Sequence, residues 1–299
     1  MARRRKGDKV DGWLVVDKPL GASSAKAVAI VKRAFNAQKV GHGGTLDPMA
    51  TGILPIGLGE ATKTMPYIVD ASKEYDFTVK WGIATDSADA EGEITHSGGA
   101  IPEKSAIEAV LSDFIGTIEQ VPPAHSAIKV DGKRAYALAR AGETVELKAR
   151  SVEIQSLTLN SYDADSGESQ FSVCCGKGTY VRSLGRDIAE KLGTYGHLTA
   201  LRRTRVGPFA LKDAISLEML EDLGHSARAS DLLRPVTTAL DDIPALAVTA
   251  LEAADIKLGR PIQQSEAKQG LCYLMDGDTP VAIAEVEGEM VRPLRVFNM

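Results

Sequence analysis

The sequence predicts an α+β fold, with a largely antiparallel mixed central sheet flanked by helices and a small β-rich module at the C-terminal end. Three observations favour this fold class. The chain has 299 residues, of which 44% are hydrophobic, enough to bury one large core and a second small one. Strand and helix periodicities follow one another without a repeat of fixed period. Short strand-like runs separated by DGD and EGE turns make up the C-terminal end.

The elements of the first third follow from local patterns. An apolar strand, WLVVDK, stops at a proline, and SSAKAVAIVKRAFN has a serine cap and the partly apolar face of a helix. A glycine-rich loop over residues 41–52 precedes a continuous apolar stretch, ILPIGLG. The next strand, YDFTVKWGIAT, alternates so that Tyr75, Phe77, Val79 and Trp81 share one side.

Later elements complete the main domain. Residues 105–115 are predicted to be helical, and a proline-led loop, a DG turn and a short helix occupy residues 122–150. FSVCCGKGTYVRSL predicts a strand, a turn and the start of a helix. The apolar face of that helix should pack on the sheet, and it contains Val181, Leu184, Ile188 and Leu192.

Composition divides the chain into three predicted segments. Residues 1–9 are expected to be a basic flexible tail, residues 10–240 the main domain, and residues 241–299 the C-terminal module. No apolar run approaches the roughly 20 residues that a membrane span needs, and no apolar signal segment follows the basic start. We therefore expect a cytoplasmic protein with no membrane partner.

Charge is unevenly distributed along the chain. The formal net charge is −5, yet residues 1–65 carry 11 Lys or Arg and 5 Asp or Glu, a local charge of +6. Residues 177–205 carry seven basic and two acidic residues. Both segments are candidates for contact with nucleic acid, because phosphate binding needs a local positive surface, although solvated faces also carry such clusters. The three cysteines lack a Cys/His ligand spacing, so no metal is expected.

The loop GHGGTLDPMATG holds a single acid, Asp47. Its glycines let a ligand approach the backbone closely, and the proline after Asp47 disfavours a helical conformation at the acid. The two common nucleotide-binding glycine patterns, G-x-x-x-x-G-K-[ST] and G-x-G-x-x-G, are both absent. A calcium-binding loop would need several acids at alternate positions. Two interpretations stay open: Asp47 caps a turn before Pro48, or the loop presents a carboxylate to a ligand.

Five blocks of sequence, in matching order over residues 10–210, carry a resemblance to a known family. They are DGWLVVDKPLGASS, GHGGTLDPMATGILPIGLGEATK, KEYDFTVKWGIATDSADAEGE, PPAHSAIKVDGKRAYALAR and GKGTYVRSLGRDI. In these blocks the chain resembles the bacterial tRNA pseudouridine-55 synthases, the TruB-type pseudouridine synthases. The resemblance implies the pseudouridine synthase fold, a PUA-like C-terminal domain, and an isomerase that detaches the T-loop uracil of tRNA, rotates it and rejoins it through carbon 5. It implies no cofactor, and a monomer that binds the tRNA T stem-loop without an obligatory protein partner.

The resemblance also assigns roles inside the pocket. Asp47 matches the catalytic aspartate of the family, which acts by covalent attack or by proton abstraction from the sugar. Tyr75 matches the tyrosine that stacks on the target base, and Arg182 matches the arginine that pairs with the aspartate. Tyr180 and Leu201 match residues that line the uracil pocket.

Further positions are matched outside the pocket centre. His42 matches a histidine that occupies the space left in the RNA loop when the target nucleotide turns out. Lys63 matches a lysine near the active site, with a support role or a phosphate contact. Residues 122–150 match an insertion that closes over the T arm, and His125 stands there where many relatives carry an aromatic residue. Basic residues of the insertion would meet phosphates: Lys129, Lys133, Arg134 and Arg140.

Two other functions remain open. An RNA-binding protein that folds tRNA without chemistry would use the same basic clusters, and a synthase for another RNA position would share the pocket. Asp47 discriminates between chemistry and binding, because its replacement by alanine should abolish isomerisation and leave most phosphate-driven binding.

Overall fold

The computed structural model describes residues 7–123, 125–126, 147–223 and 231–299, and the backbone of residues 129–130 and 133–134. The helices are α1 (Ser24–Ala34), α2 (Met65–Asp70), α3 (Lys104–Val110), α4 (Val181–Lys191), α5 (Leu217–Leu223) and α6 (Ala250–Lys257). Short 3₁₀ helices span Gly59–Lys63, Leu111–Phe114, Leu211–Asp213 and Val236–Leu240.

The strands fall into a long series and a C-terminal series. The first comprises β1 (Gly12–Lys18), β2 (Val40–His42), β3 (Ala50–Leu58), β4 (Lys73–Trp81), β5 (Ile83–Thr85), β6 (Ile94–Ser97), β7 (Gly116–Gln120), β8 (Lys129–Val130), β9 (Lys133–Arg134), β10 (Arg150–Asp163), β11 (Glu168–Cys175), β12 (Gly196–Val206), β13 (Phe209–Ala210) and β14 (Ile215–Ser216). The second comprises β15 (Ala245–Ala247), β16 (Ile262–Gln263), β17 (Gly270–Asp276), β18 (Thr279–Glu287) and β19 (Met290–Val296).

Ten strands form the central sheet, in the order β14-β1-β3-β12-β4-β11-β10-β7, with β2 beside β3 and β13 beside β12. The pairings of β1 with β14 and of β3 with β12 are parallel. The other pairings in this sheet are antiparallel. The prediction of a largely antiparallel mixed sheet flanked by helices is confirmed.

One face of the central sheet packs against α4. Phe77 and Trp81, on the side of β4 that alternation predicts to be apolar, are almost fully buried in one cluster with Leu184 of α4. Helix and sheet approach closely at Gly185, where an added Cβ would lie 2.4 Å from Leu198 Cδ1. This packing fixes the start of α4 relative to the sheet, and the start of α4 carries part of the site described below.

The other face of the sheet is partly covered by the C-terminal module. There the rings of Trp13 and Phe209 lie 5.5 Å apart, in a cluster that also contains Ile283 and Phe297. The module is a five-stranded sheet in the order β15-β17-β18-β19-β16, with α6 packed on it. The predicted β-rich C-terminal module is confirmed.

Two predicted segments are described only in part. Residues 7–9 of the expected tail are hydrogen-bonded to the main domain, where Asp8 N donates to Asn36 O at 2.6 Å, and residues 1–6 lie outside the described residues. In the expected insertion β8 and β9 pair with each other antiparallel. Arg140 and the side chains of Lys129, Lys133 and Arg134 lie outside the described residues. In the ranges given above, no helix combines the length and the apolar character needed to cross a bilayer.

Candidate active site

The loop between β2 and β3 carries Asp47 and is tied to α1. The Ser24 hydroxyl accepts a hydrogen bond from Leu46 N at 2.9 Å and donates one to Leu46 O at 3.0 Å. The carbonyl of Asp47 accepts a hydrogen bond from Ala50 N at 3.1 Å, which closes a turn. The main chain at Asp47 therefore forms a turn, and its side chain remains available for other contacts.

Lys18, at the end of β1, anchors the far side of this loop. Its buried amine donates hydrogen bonds to the carbonyl oxygens of Ala22 at 2.7 Å and Pro48 at 3.3 Å. Burial lowers the pKa of Lys18 to about 8, and the negative charge of Asp47 opposes that shift. The loop is thus held through backbone carbonyls by a cation close to the acid.

Arg203, on β12, is a buried positioning residue that no local sequence pattern reveals. Its Nε donates to Ile53 O at 2.7 Å and its Nη2 donates to Gly44 O at 3.1 Å. Gly44 has a φ of +119°, and a Cβ added to Gly52 would lie 2.2 Å from the carbonyl oxygen of Arg203. Any larger residue at these two positions would strain the loop or push the strands apart. Part of the glycine content of the loop therefore follows from its packing against Arg203.

Arg182, in the first turn of α4, joins two carboxylates. Its guanidinium lies 2.8 Å from Asp47 Oδ2 and 3.1 Å from Asp89 Oδ2, and it also donates to the carbonyls of Ser87 at 3.0 Å and His125 at 2.9 Å. Because four acceptors surround it, the guanidinium has a fixed orientation. The Arg182 and Asp89 side chains are 4% and 3% exposed, whereas that of Asp47 is 37% exposed. Asp47 is therefore the member of this network that a ligand can reach.

A cavity of about 290 Å³ lies beside Asp47. The structure brings five of the residues singled out from the sequence to its wall: Asp47, Tyr75, Tyr180, Arg182 and Leu201. Ligand sites in proteins begin at about 300 Å³, so the cavity suits a ligand of nucleoside size. Residues from β4, β12, the Asp47 loop and the start of α4 thus converge on one space.

The two tyrosines of the wall stand on different elements. Tyr75 belongs to β4, where burial raises the pKa of its phenol against the opposing positive charge of Arg203. Tyr180 caps the start of α4, and its backbone N donates to Gln120 Oε1 at 2.8 Å. Burial also raises the pKa of the Tyr180 phenol. Both phenols are neutral at pH 7 and can stack on a planar ligand or carry a proton.

Lys73 is a further cavity residue that the sequence patterns do not mark. It begins β4 with a buried side chain, and its amine donates to the carbonyls of Val69 and Ala71, both at 2.5 Å. Burial lowers the pKa of Lys73 to about 8. No ion pair of Lys73 with a carboxylate is present in the described part of the chain, and the negative charge of Asp70 is near enough to oppose the lowering of its pKa.

Lys63 and His42 do not line the cavity. The Lys63 amine lies 2.5 Å from Glu60 Oε2 and donates to Val296 O of the C-terminal sheet at 2.8 Å. His42 is half-buried on β2, before the Asp47 loop, and burial together with the charge of Arg203 lowers its pKa. The imidazole of His42 is therefore neutral at pH 7, which suits a planar contact.

In this arrangement the exposed carboxylate of Asp47 can react with a planar ligand bound in the cavity. An oriented carboxylate can attack a ligand carbon or take a proton, and a neutral phenol beside it can relay one. Within the described ranges, no group of three His, Cys, Asp or Glu residues could hold a metal ion, and the three cysteines are free.

Similarity to known proteins agrees with this geometry. The family model described as TruB family pseudouridylate synthase (N terminal domain) matches residues 32–181, and that described as tRNA pseudouridylate synthase B C-terminal domain matches residues 182–241. The chain is 50% identical to the tRNA pseudouridine synthase B of Caulobacter sp. (strain K31) and 51% identical to that of Caulobacter vibrioides, in each case over 100% of both chains.

A solved structure shares the fold as well. A chain in the crystal structure of a Cbf5-Nop10-Gar1 complex is 26% identical to this chain, with a TM-score of 0.72. The similarity covers 95% of this chain and 84% of that chain. From the matched family models and the identity over the full length, we conclude that the chain belongs to the TruB family of pseudouridylate synthases.

Proposed function

We propose that this protein is an isomerase that converts the uridine at position 55, in the T loop of tRNA, to pseudouridine. The bond between ribose C1′ and uracil N1 breaks, the base rotates, and a bond forms between C1′ and C5. The proton on C5 leaves to solvent and N1 gains one, so the reaction balances without an oxidant or a cofactor. The main support for this proposal is the Asp47 carboxylate, which Arg182 holds at the wall of a nucleoside-sized cavity.

Asp47 acts on the ribose of the bound nucleotide. It either attacks C1′ and carries the sugar while uracil turns, or removes a ribose proton to start the elimination of uracil. Both routes need an ionised carboxylate that faces the sugar and does not rotate. Arg182 and the turn at Asp47 supply that orientation, while 37% exposure of the side chain leaves it accessible.

Tyr75, Tyr180 and Leu201 enclose the uracil. Their aromatic and aliphatic surfaces match a planar base that must stay in the cavity after its glycosidic bond has broken. The phenol of Tyr75, neutral at pH 7, lines the same cavity and can relay the C5 proton to water by releasing its own hydroxyl proton as it takes up the other. His42 then stands outside the cavity, available to fill the gap in the RNA loop, because extruding a base costs a few kcal/mol.

The substrate class follows from the relatives, which are named tRNA pseudouridine synthase B. In this proposal residues 10–240 form the catalytic domain, the insertion at 122–150 covers the T arm, and residues 241–299 form a PUA-like domain. At the start of that insertion, the carbonyl of His125 accepts a hydrogen bond from Arg182 at 2.9 Å. We further propose that the protein acts as a monomer, and tRNA as substrate supports a cytoplasmic location.

Tritium release tests the proposed reaction. A tRNA transcript labelled with tritium at C5 of uridine should release label into water when the protein is added. A transcript with cytidine at position 55 should release none. Release from both transcripts would place the reaction at another uridine, and tight tRNA binding with no release from either would favour an RNA-folding protein without chemistry.

A further inference from the structure

The rim of the cavity contains an ion pair that has no part in the chemistry proposed above. α2 ends at Asp70, and Lys177 belongs to the turn between β11 and α4. The Lys177 amine lies 3.1 Å from Asp70 Oδ2, and the two side chains are 64% and 57% exposed. Val69 and Lys177 both line the cavity, so this pair bridges two sides of its opening.

Asp70 is poorly placed for the stability of α2 alone. A carboxylate at the C-terminal end of a helix meets the partial negative charge of unpaired carbonyl groups. Two carbonyls at that end, of Val69 and Ala71, accept hydrogen bonds from Lys73 instead. The contact that Asp70 itself makes is the ion pair with Lys177, which holds the lysine over the opening.

Lys73 adds a second cation below the rim. Its side chain is buried, it lines the cavity, and its own hydrogen-bond acceptors are neutral carbonyls. This side of the opening therefore carries two amines, of Lys73 and Lys177, beside the carboxylate of Asp70, and Glu153 Oε2 lies 3.8 Å from the position that a Cβ would take at Gly176. Two amines that both line the cavity can together contact one anion.

A nucleotide that enters the cavity brings its two flanking phosphates to the opening, because the base and ribose fill the interior. An exposed Lys–Asp pair contributes little stability, whereas a lysine that contacts RNA phosphate releases counterions. We propose that Lys177 leaves Asp70 when RNA binds and contacts a phosphate that flanks the turned-out nucleotide, with Lys73 as the second cation of this phosphodiester subsite. This inference rests on the proposed function, since it requires a nucleotide in the cavity.

Neutral substitutions of the two partners should have opposite effects on binding. We expect Lys177→Gln to raise the Kd for tRNA about three- to tenfold and to reduce the dependence of log Kd on log salt by about one. Asp70→Asn leaves Lys177 without its carboxylate and should lower Kd about two- to threefold. The single-turnover rate at saturating enzyme should change far less than Kd in both variants.

Lys191→Gln is the matched control. Lys191 forms an ion pair of similar exposure with Asp113, at 2.9 Å, and lies outside the cavity wall. Its Kd and salt dependence should match those of the wild type. A loss in Lys191→Gln as large as that in Lys177→Gln would overturn the proposal, because it would show a nonspecific effect of charge.

Chemically altered RNA identifies the phosphate. Two T-arm RNAs each carry one neutral methylphosphonate, placed either 5′ or 3′ of the target uridine. On one of these two RNAs, Lys177→Gln should no longer raise the Kd. The subsite is excluded if Lys177→Gln weakens binding by the same factor on both altered RNAs and on unaltered RNA, or does not weaken it at all. Failure of the proposed function would give a different result, namely no tritium release by the wild-type protein. The ratio of the Kd values of Lys177→Gln and wild type would still decide the role of Lys177.

Discussion

Two ion-pair clusters, one around Asp47 and one around Lys63, differ in the exposure of their charged side chains. The family resemblance assigns a site role to both residues. In the cavity, Arg182 joins a buried Asp89 to Asp47, whose side chain is 37% exposed. At the junction with the C-terminal sheet, Lys63 and Glu60 are only 17% and 15% exposed. Lys63 also donates to Val296 O, and Glu60 accepts from Asn298 N at 2.7 Å.

The two clusters differ in how far their charged groups are accessible to a ligand. The Asp47 carboxylate is oriented by one partner and is otherwise without side-chain hydrogen bonds among the described residues. In the Lys63 cluster each charged group contacts the other and a backbone group of residues 296–298, at the C-terminal end of the chain. We therefore propose that Lys63 attaches the C-terminal module and that Asp47 performs the chemistry.

Asp47→Asn should show the largest effect. Asparagine keeps the size of the side chain and removes the charge that both proposed routes require, so the single-turnover rate should fall by a factor on the order of 10⁴ or more. Because the side chain is partly exposed, the unfolding temperature should stay close to the wild-type value. A variant that keeps a tenth of the wild-type rate would contradict the role of Asp47.

Arg182→Lys should come next. A lysine cannot contact two carboxylates and two carbonyls at once, so Asp47 loses its fixed orientation. We expect the single-turnover rate to fall by about 10²–10³-fold and the free energy of unfolding by about 2–3 kcal/mol. Arg186→Lys, in the same helix and paired with Asp187 at 2.7 Å, is the control and should change the rate less than twofold.

Arg203→Lys should have a smaller effect on the rate. The loss of the donors to Ile53 O and Gly44 O loosens the loop, so the single-turnover rate should fall by about tenfold. The Kd for tRNA should stay within twofold, which separates loop positioning from general unfolding of the site. Arg202→Lys changes the neighbouring residue, which pairs with Asp17 outside the cavity, and should leave both quantities unchanged. Equal losses in the two variants would contradict positioning by Arg203.

Lys63→Met should leave the rate unchanged and lower stability. Burial would raise the pKa of Glu60, but hydrogen bonds from Lys63 and Asn298 N outweigh it and hold that pKa below its usual value of 4.5. A lowered folded-state pKa stabilises the protein above the unfolded pKa, and this contribution disappears as the pH falls through the folded value. The unfolding temperature of Lys63→Met should therefore lie a few degrees below wild type at pH 7 and approach it as the pH falls below 4.5 and through the folded-state pKa of Glu60.

Two results would sharpen the assignment of Lys63. Lys104→Met removes an exposed lysine that lies 3.7 Å from Glu108 and should leave the unfolding temperature unchanged at either pH. A large loss of single-turnover rate in Lys63→Met, with an unchanged unfolding temperature, would instead make Lys63 part of the active site.

Sequence patterns predicted those features that depend on residues close together in the sequence. Alternation in β4 predicted the side that carries Tyr75, and the glycine-rich loop drew attention to Asp47. Arg203 could not be found in this way, because its role depends on parallel pairing with Gly52, some 150 residues earlier in the chain. Asp89 was missed for a similar reason, since its partner Arg182 lies 93 residues away. The position of Lys63 depends on a contact with Val296 across 233 residues.

Mapping of pseudouridine at single-nucleotide resolution tests the central claim most directly. An unmodified tRNA transcript is incubated with equal amounts of wild-type protein or Asp47→Asn, and the modified positions are then identified. The account predicts pseudouridine at position 55 with the wild type and none with Asp47→Asn, although both proteins bind the tRNA. Pseudouridine at another position, or equal modification by the two proteins, would contradict it.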